Sequence, residues 1–321
     1  MFLRRAADPG WNRIHELPTM GTRLELYSER VEVSDIVRPP IAIFGIWKNG
    51  RRRPFDARLL RVPVGQCRHL LSTVLDEVVS ELISDDDRRT SLLHTGQAAI
   101  CGHAQDGGKT DGPHVAVAAL PSVSGPYPDG RIRRLAVVGF GCIESEKRRL
   151  FDAIVARLHD RELIDEGEET GLVLRREADT GSQFLLTGVA AEWESVTPMI
   201  LDRPEFRRKE WEQAGHASRR RAARAGDPTA AIELEQSLAV RREDLVREAF
   251  ERVAASQVSQ IELSRAPLRA GMHPAGQYRT SGYLQASPRF HVRVRFCEPV
   301  AGPLLAGRGR YVGFGLFRPI Q

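Results

Sequence analysis

Two stretches of this chain carry residue types and spacings that could do chemistry. The first is the loop Cys101-Gly102-His103-Ala104-Gln105-Asp106-Gly107, continued by Pro113-His114-Val115-Ala116. A histidine beside glycine in a polar loop is accessible and stays neutral without burial, and imidazole is the side chain whose ordinary charge change falls near neutral pH. It suits general acid–base work on a ribose hydroxyl or a leaving oxygen, worth ~10²–10⁴ in rate. A loop histidine that only caps or bonds locally is the competing reading. His114 opens an apolar strand, and for it a bond to nearby backbone is the simpler role.

The second stretch is Gly307-Arg308-Gly309-Arg310-Tyr311-Val312-Gly313-Phe314-Gly315-Leu316-Phe317. Closely spaced glycines leave backbone N–H groups uncovered and let another backbone approach, while arginine supplies a fixed cation with a planar donor fork. A polyanion fits such a segment, with RNA foremost. Alternation of Tyr311, Gly313 and Gly315 with Val312, Phe314 and Leu316 also describes a strand with one apolar face. Neither a dinucleotide fingerprint nor a phosphate loop fits, because no helix can follow before Gln321 and no Gly-Lys-Ser or Gly-Lys-Thr is present.

Further cations cluster at Arg51-Arg52-Arg53, Arg131 with Arg133-Arg134, Arg207-Arg208-Lys209 and Arg219-Arg220-Arg221. In Arg289-Phe290-His291-Val292-Arg293-Val294-Arg295, strand alternation sets His291 and Arg293 on one face with the other arginines, a basic stripe suited to RNA or simply to water. The chain has 321 residues, net charge +5, 41% apolar and 28% charged residues. That suits two modest domains. No apolar run approaches the ~20 residues of a membrane span and the N-terminus lacks a signal-peptide core, so the expected location is the cytoplasm. Cys67, Cys101, Cys142 and Cys297 form no Cys-x-x-Cys pair. No metal-site spacing or Gly-x-Ser-x-Gly elbow occurs, and no metal or other cofactor is expected.

The elements that must position these residues follow from periodicity. Ile41 to Trp47 reads as a strand before the Asn49-Gly50 turn, and Val64 to Ile83 as a helix ended by Asp85-Asp86-Asp87. Strands at His114 to Leu120 and Ile132 to Phe140, a helix from Glu146 to His159, and a closing strand or hairpin from Leu172 to Arg175 and Phe184 to Thr187 complete a β-α-β-β-α-β order. The second half offers strands at Val196 to Leu201, Val258 to Leu263, Arg289 to Phe296 and Tyr311 to Phe317, with one long helix from Ile232 to Ser256 and a charged stretch from Arg203 to Arg224. The expected fold is α+β: two tandem ferredoxin-like domains, the second degenerate and ending in a glycine-rich loop. The expected boundaries are an extension over 1–40 and domains over 41–190 and 191–321.

Several ordered blocks carry a resemblance. They are Gly102-His103, Asp106-Gly107 and Pro113-His114-Val115-Ala116; Leu120-Pro121 and Asp129-Gly130-Arg131; Trp193, Val196-Thr197-Pro198 and Leu201-Asp202-Arg203; and Pro299-Val300, Gly302-Pro303-Leu304-Leu305 through Gly315-Leu316-Phe317. Over roughly residues 40–321 the chain resembles the repeat-processing half of the fused backbone and processing subunit of type I-G (formerly I-U) CRISPR systems, in the RAMP superfamily. Fused members carry a backbone-type domain ahead of this region, where about 40 residues stand here. Ser124-Gly125-Pro126-Tyr127-Pro128 also lacks the histidine that relatives tend to have.

The resemblance implies metal-independent cleavage of CRISPR precursor RNA within repeats, by 2′-hydroxyl attack that leaves a cyclic phosphate, and retention in an effector complex with other subunits. On matching positions, His103 becomes the first choice as base or acid, His114 the second, and Gly307 to Gly315 a backbone-orienting loop. Arg131 is a separate candidate for stabilising the phosphorane. A non-catalytic RNA-binding or scaffold subunit is the alternative. A DNA-binding module is disfavoured, because no helix-turn-helix or zinc finger appears.

Overall fold

The computed structural model describes residues 3–5, 13–15, 38–103, 108, 110, 112–123, 128–165, 168–178, 186–206, 208–213 and 215–320. Ala104 to Gly107, Ser124 to Tyr127, most of the expected extension over 1–40, and Phe184 and Leu185 of the expected hairpin lie outside the described residues. Met1–Ile36 forms one compact unit, in which β1 (Leu3–Arg5) pairs antiparallel with β2 (Arg13–His15). Val37–Gln321 forms the other and holds both larger sheets.

The first sheet starts with β3 (Ile41–Lys48), followed by the short β4 (Arg51–Arg52) and β5 (Phe55–Asp56). Helix α1 (Arg61–Leu82) forms because Val64, Cys67, Leu71, Val74, Leu75 and Val78 recur every three or four residues, and it begins earlier than that spacing indicates, with Pro63 in its first turn. The Asp85-Asp86-Asp87 run does more than stop it. Asp85 accepts a bond from the Arg88 N–H and caps α2 (Asp86–Gly96), whose positive end also favours the next two carboxylates.

Then come β6 (Val115–Pro121), β7 (Arg131–Gly139), α3 (Ser145–Arg157) and a hairpin of β8 (Arg161–Asp165) and β9 (Glu168–Arg176). The strands run β6-β7-β3-β9, all antiparallel, with β8 on the edge beyond β9. Placing the first strand of the unit between its third and fourth is the ferredoxin-like arrangement.

The second sheet repeats that order with β10 (Val189–Ser195), β12 (Val258–Ser264), β13 (Arg289–Ala301) and β14 (Phe317–Pro319), arranged β12-β13-β10-β14. The short β11 (Met199–Ile200) pairs with the start of β13. The Arg203 to Arg224 stretch contains α4 (Arg208–Gln213) and α5 (His216–Arg224), ahead of the long α6 (Pro228–Glu251), and α7 (Gly282–Gln285) precedes β13. Two expectations need correction. The opening strand lies at Val189–Ser195 rather than Val196 to Leu201, and Tyr311 to Leu316 is a turned segment, with extended structure only from Phe317. Gly313 and Gly315 take positive φ of 92° and 65°, outside regular extended geometry, and turn the chain twice within three residues.

Helices α1 and α3 cover one face of the first sheet, burying Val74, Phe151, Val117 and Leu135 together. The opposite face, with Ile43, Ala116, Ala118 and Val138, packs on Val196, Leu305 and Leu316 of the second half. Burial on both sides explains why β6 is apolar throughout and buried at every position. On the second sheet α6 contributes Leu245, Val246 and Phe250 against Val292, Val294 and Phe296.

Candidate nucleic-acid site

Arg68 of α1 ties the two chemistry-bearing stretches together. Its guanidinium donates to the carbonyls of Cys101 at 2.9 Å, Tyr311 at 3.1 Å and Val115 at 3.4 Å, so one side chain joins the end of the His103 loop's helical lead-in, the start of β6 and the glycine-rich segment. It forms no ion pair among the described residues, so its charge is not cancelled by a carboxylate there. Five donors in a planar fork make such a triple contact available to arginine and not to lysine.

His114 lies under this clamp. Its ring stacks on Tyr311 with centroids 3.5 Å apart and planes 24° from parallel, and its Nδ1 lies 3.2 Å from the Gly112 carbonyl, to which the neutral ring donates. Gly102, at φ 76°, makes room on the other side, where a Cβ would come within 2.6 Å of His114 Nε2. Burial, reinforced by the nearby charges of Arg68, Arg310 and His103, pushes His114 down to about 4. The ring is therefore a neutral wedge at pH 7. The second-choice acid or base is thus 8% exposed and not protonated near neutrality, whereas His103 reaches the open cleft.

His103 is exposed, held by its backbone N–H to the Gln97 carbonyl at 3.1 Å. It lines a cleft of about 260 Å³ with Arg68, His69, Ser72 and Cys101. Sequence reasoning missed Arg68 and His69, because it read α1 only for its apolar face. The signal was available: Arg61, Gly65, Arg68, His69 and Ser72 recur at helical spacing on the opposite face, where a second cleft of about 770 Å³ continues along α1 past Arg61 and Gly65.

The glycine-rich segment plays a different part from the one expected. Gly307, Gly309, Gly313 and Gly315 are buried, and their missing side chains admit protein rather than ligand. A Cβ on Gly313 would meet Leu60 and Val64 at 2.9 Å, and one on Gly307 the Ile200 carbonyl oxygen at 2.5 Å. The N–H groups of Arg308, Arg310, Val312, Phe314 and Gly315 donate to the carbonyls of Ile200, Gly307, Gly309, Gly309 and Pro198. What the segment offers at the surface is side chains: exposed Arg308, whose guanidinium lies 5.7 Å from the Tyr283 ring, and half-buried Arg310, 4.6 Å from the Tyr311 ring.

Other expected contacts separate. Val115 pairs with Gly139 at one end of β7, and Arg131 begins the strand at the other end, eight residues away, or about 27 Å at strand rise. Arg131 therefore cannot stabilise a phosphorane formed at His103. His291 is fully buried, with Nε2 2.8 Å from the His273 carbonyl and Nδ1 3.5 Å from Ser195 Oγ, and burial lowers its pKa. It presents nothing to RNA. Arg293 is also committed: with Arg269 and Arg318 it surrounds the fully buried Glu194, and it bonds Glu262 at 3.2 Å. Along the expected basic stripe, His291 is thus covered, while Arg293 and the exposed Arg295 are paired with Glu194, Glu262 and Glu192. On α5, Arg219 pairs with Glu233 at 3.1 Å, Arg220 and Arg221 are exposed, and none of the three lines the His103 cleft.

No helix among the described residues is long and apolar enough to cross a membrane. Nothing among the curated proteins matches the chain. Among solved structures it is similar to a Cas6 product complex, at 11% identity and a TM-score of 0.36 over 88% of this chain and 100% of that one. It is also similar to the CRISPR RNA processing endoribonuclease Cas6b, at 10% identity and a TM-score of 0.24 over 87% and 99%. The model of the family described as "CRISPR-associated protein, GSU0054 family" matches residues 85–319, close to three quarters of the sequence, and the chain belongs to that family.

Proposed function

We propose that this CRISPR-associated protein is an endoribonuclease that cleaves precursor RNA within repeats and holds the product as a guide RNA in a complex with other subunits. The observation that carries this reading is the cleft in which exposed His103 faces the same space as His69 and the uncancelled guanidinium of Arg68. In the reaction, His103 takes the proton from a ribose 2′-hydroxyl as the 2′-oxygen bonds to the adjacent phosphorus. The P–O5′ bond breaks, and the leaving 5′-oxygen takes a proton from His69. The products are a 2′,3′-cyclic phosphate and a 5′-hydroxyl. Arg68, held by three carbonyls, supplies preorganised positive charge to the phosphorane, and Arg308 and Arg310 hold backbone phosphates beside it.

The reaction uses the RNA's own hydroxyl and two imidazoles, so EDTA leaves the rate unchanged and a 2′-deoxy substitution at the cleaved position stops it. His103→Ala lowers the single-turnover rate by ~10²–10⁴ while repeat-RNA affinity stays close to wild type. Wild-type cleavage by this variant would remove His103 from the reaction. Steeply salt-dependent binding with no product on a denaturing gel would leave a scaffold subunit instead.

A further inference from the structure

A second basic cleft, of about 430 Å³, opens at the far end of β7 from His103. Its walls are Arg53, Pro54, Asp56, Ala57 and Arg58 from the turn before α1, Asp129 and Arg131 from the turn before β7, and His273 from the second half. Next to Asp129 and Arg131, two loops approach unusually closely. Gly130 and Gly271 both take positive φ, and a Cβ on Gly130 would lie 1.8 Å from the Gly271 carbonyl oxygen. Two backbones pressed together in this way fix the spacing between Arg131 and His273, which belong to different sheets' connections.

The charges are sorted rather than mixed. Asp56 is gripped by Arg58 at 2.5 Å and held down to about 2, chiefly by that bond; Asp129 is gripped by Arg133 at 2.6 Å and likewise held down to about 2. His273 Nε2 sits 3.8 Å from Asp56. Arg53 and Arg131 are exposed and form no ion pair among the described residues, so the two acids spend themselves on positioning while two guanidiniums remain for an incoming anion. A phosphodiester, with two oxygens matched to a guanidinium fork, is the chemistry that suits them.

We infer that this cleft grips a backbone phosphate of the same RNA that enters the His103 cleft, about eight nucleotides along the strand. The inference rests on the proposed function. One strand of a duplex carries a phosphate per ~3.4 Å of axis, so the run of β7 from Gly139 to Arg131, about 27 Å at strand rise, corresponds to about eight phosphates. The cleft then acts as a ruler: it makes affinity depend on RNA length beyond the cleavage point.

The test titrates the full chain with labelled repeat RNAs, 2′-deoxy at the cleaved position and lengthened one nucleotide at a time in either direction. Wild-type affinity should rise in a step once the RNA reaches the second cleft. In the Arg53→Ala/Arg131→Ala double variant the step disappears, and the slope of log K against log salt falls by ~0.7, the value for one single-strand phosphate contact. The Arg53→Lys/Arg131→Lys variant, which keeps the charge, restores most of the slope, and unchanged thermal melting excludes a folding defect. An intact step and slope in the alanine variant would overturn the assignment, as would polyglutamate binding that depends on the same two arginines as strongly as RNA does. A wild type that binds RNA with no step overturns the cleft alone. One that binds no RNA at any length overturns the proposed function with it.

Discussion

The two halves of the compact unit share a strand order and differ in what joins their third and fourth strands. Between β7 and β9 the first half inserts α3 and the hairpin strand β8, and α3 covers the sheet with Leu150, Phe151, Ile154 and Val155. Between β13 and β14 the second half has only residues 302–316, with no α-helix. A helix is about 10–12 Å across with its side chains, whereas a glycine backbone can lie at van der Waals distance from its neighbour. Losing the helix is what brings the second half against α1 of the first, with Gly313 on Leu60 and Val64, and Tyr311 on His114. The degenerate half is the one that builds the junction.

The sharpest way to break that arrangement is to put a side chain where the helix was given up. Gly315 has φ 65°, and a Cβ there would sit 1.9 Å from the Ala306 carbonyl oxygen, beside the isolated bridge between Leu305 and Leu316. Gly315→Val is expected to cost at least ~3 kcal/mol of unfolding free energy, from backbone strain plus the clash. A shift in urea midpoint at constant slope would measure it. The equivalent insult in α3, a Val155→Ala truncation of a covered but conventional helix position, should cost about half as much.

A smaller effect separates His114 from the exposed His103. A histidine whose folded-state pKa is depressed is favoured as the neutral ring, so its contribution to stability is present above the unfolded value of about 6.5 and is lost as pH falls toward about 4. The unfolded chain binds the proton first throughout that window, so stability rises with pH across it. The expected loss on acidification is about 3 kcal/mol, read as the pH dependence of the urea midpoint. His114→Phe keeps a stacking ring without a proton site and should flatten that limb. A limb unchanged in this variant would mean that another group causes it.

How much of this was legible in the sequence follows from what each signal encodes. Apolar periodicity marked α1, α3 and β6 because burial is written into residue type at fixed spacing. It placed the strand at Tyr311 to Phe317 wrongly because alternating glycine looks like a strand edge, while positive φ is invisible without coordinates. His103 stands out as a candidate in the sequence because its neighbours are small and polar. Arg68 and His69 were overlooked because a polar stripe on an amphipathic helix ordinarily faces water, and only the fold shows that this one faces a cleft. His291 and Arg293 misled for the opposite reason. Alternation said which face they share, but their cover, the segment through His273, and their partner, Glu194, come from distant parts of the chain. The separation of Arg131 from His114 likewise depends on register, which pairs Val115 with Gly139.

The finest test of the junction changes one residue without changing its charge. Arg68→Lys keeps a cation in α1, but a lysine ammonium is a single point on a flexible stem and cannot hold the carbonyls of Cys101, Val115 and Tyr311 together. The expected cost is about 1–2 kcal/mol, the net worth of one or two such bonds. Stability alone would not locate the damage; the His114 titration does. A charge remains nearby, so electrostatic repulsion on the ring is largely kept, whereas loosening Tyr311 lets water reach it and relieves the burial that is the main cause of its low pKa. The His114 pKa, followed by NMR of the ring protons, should therefore move up from about 4 toward its ordinary value, although the substitution neither touches the ring nor removes a positive charge. A pKa that stays put would show that α1, the first sheet and the glycine-rich segment hold the stack without Arg68, and that the guanidinium is there for the ligand alone.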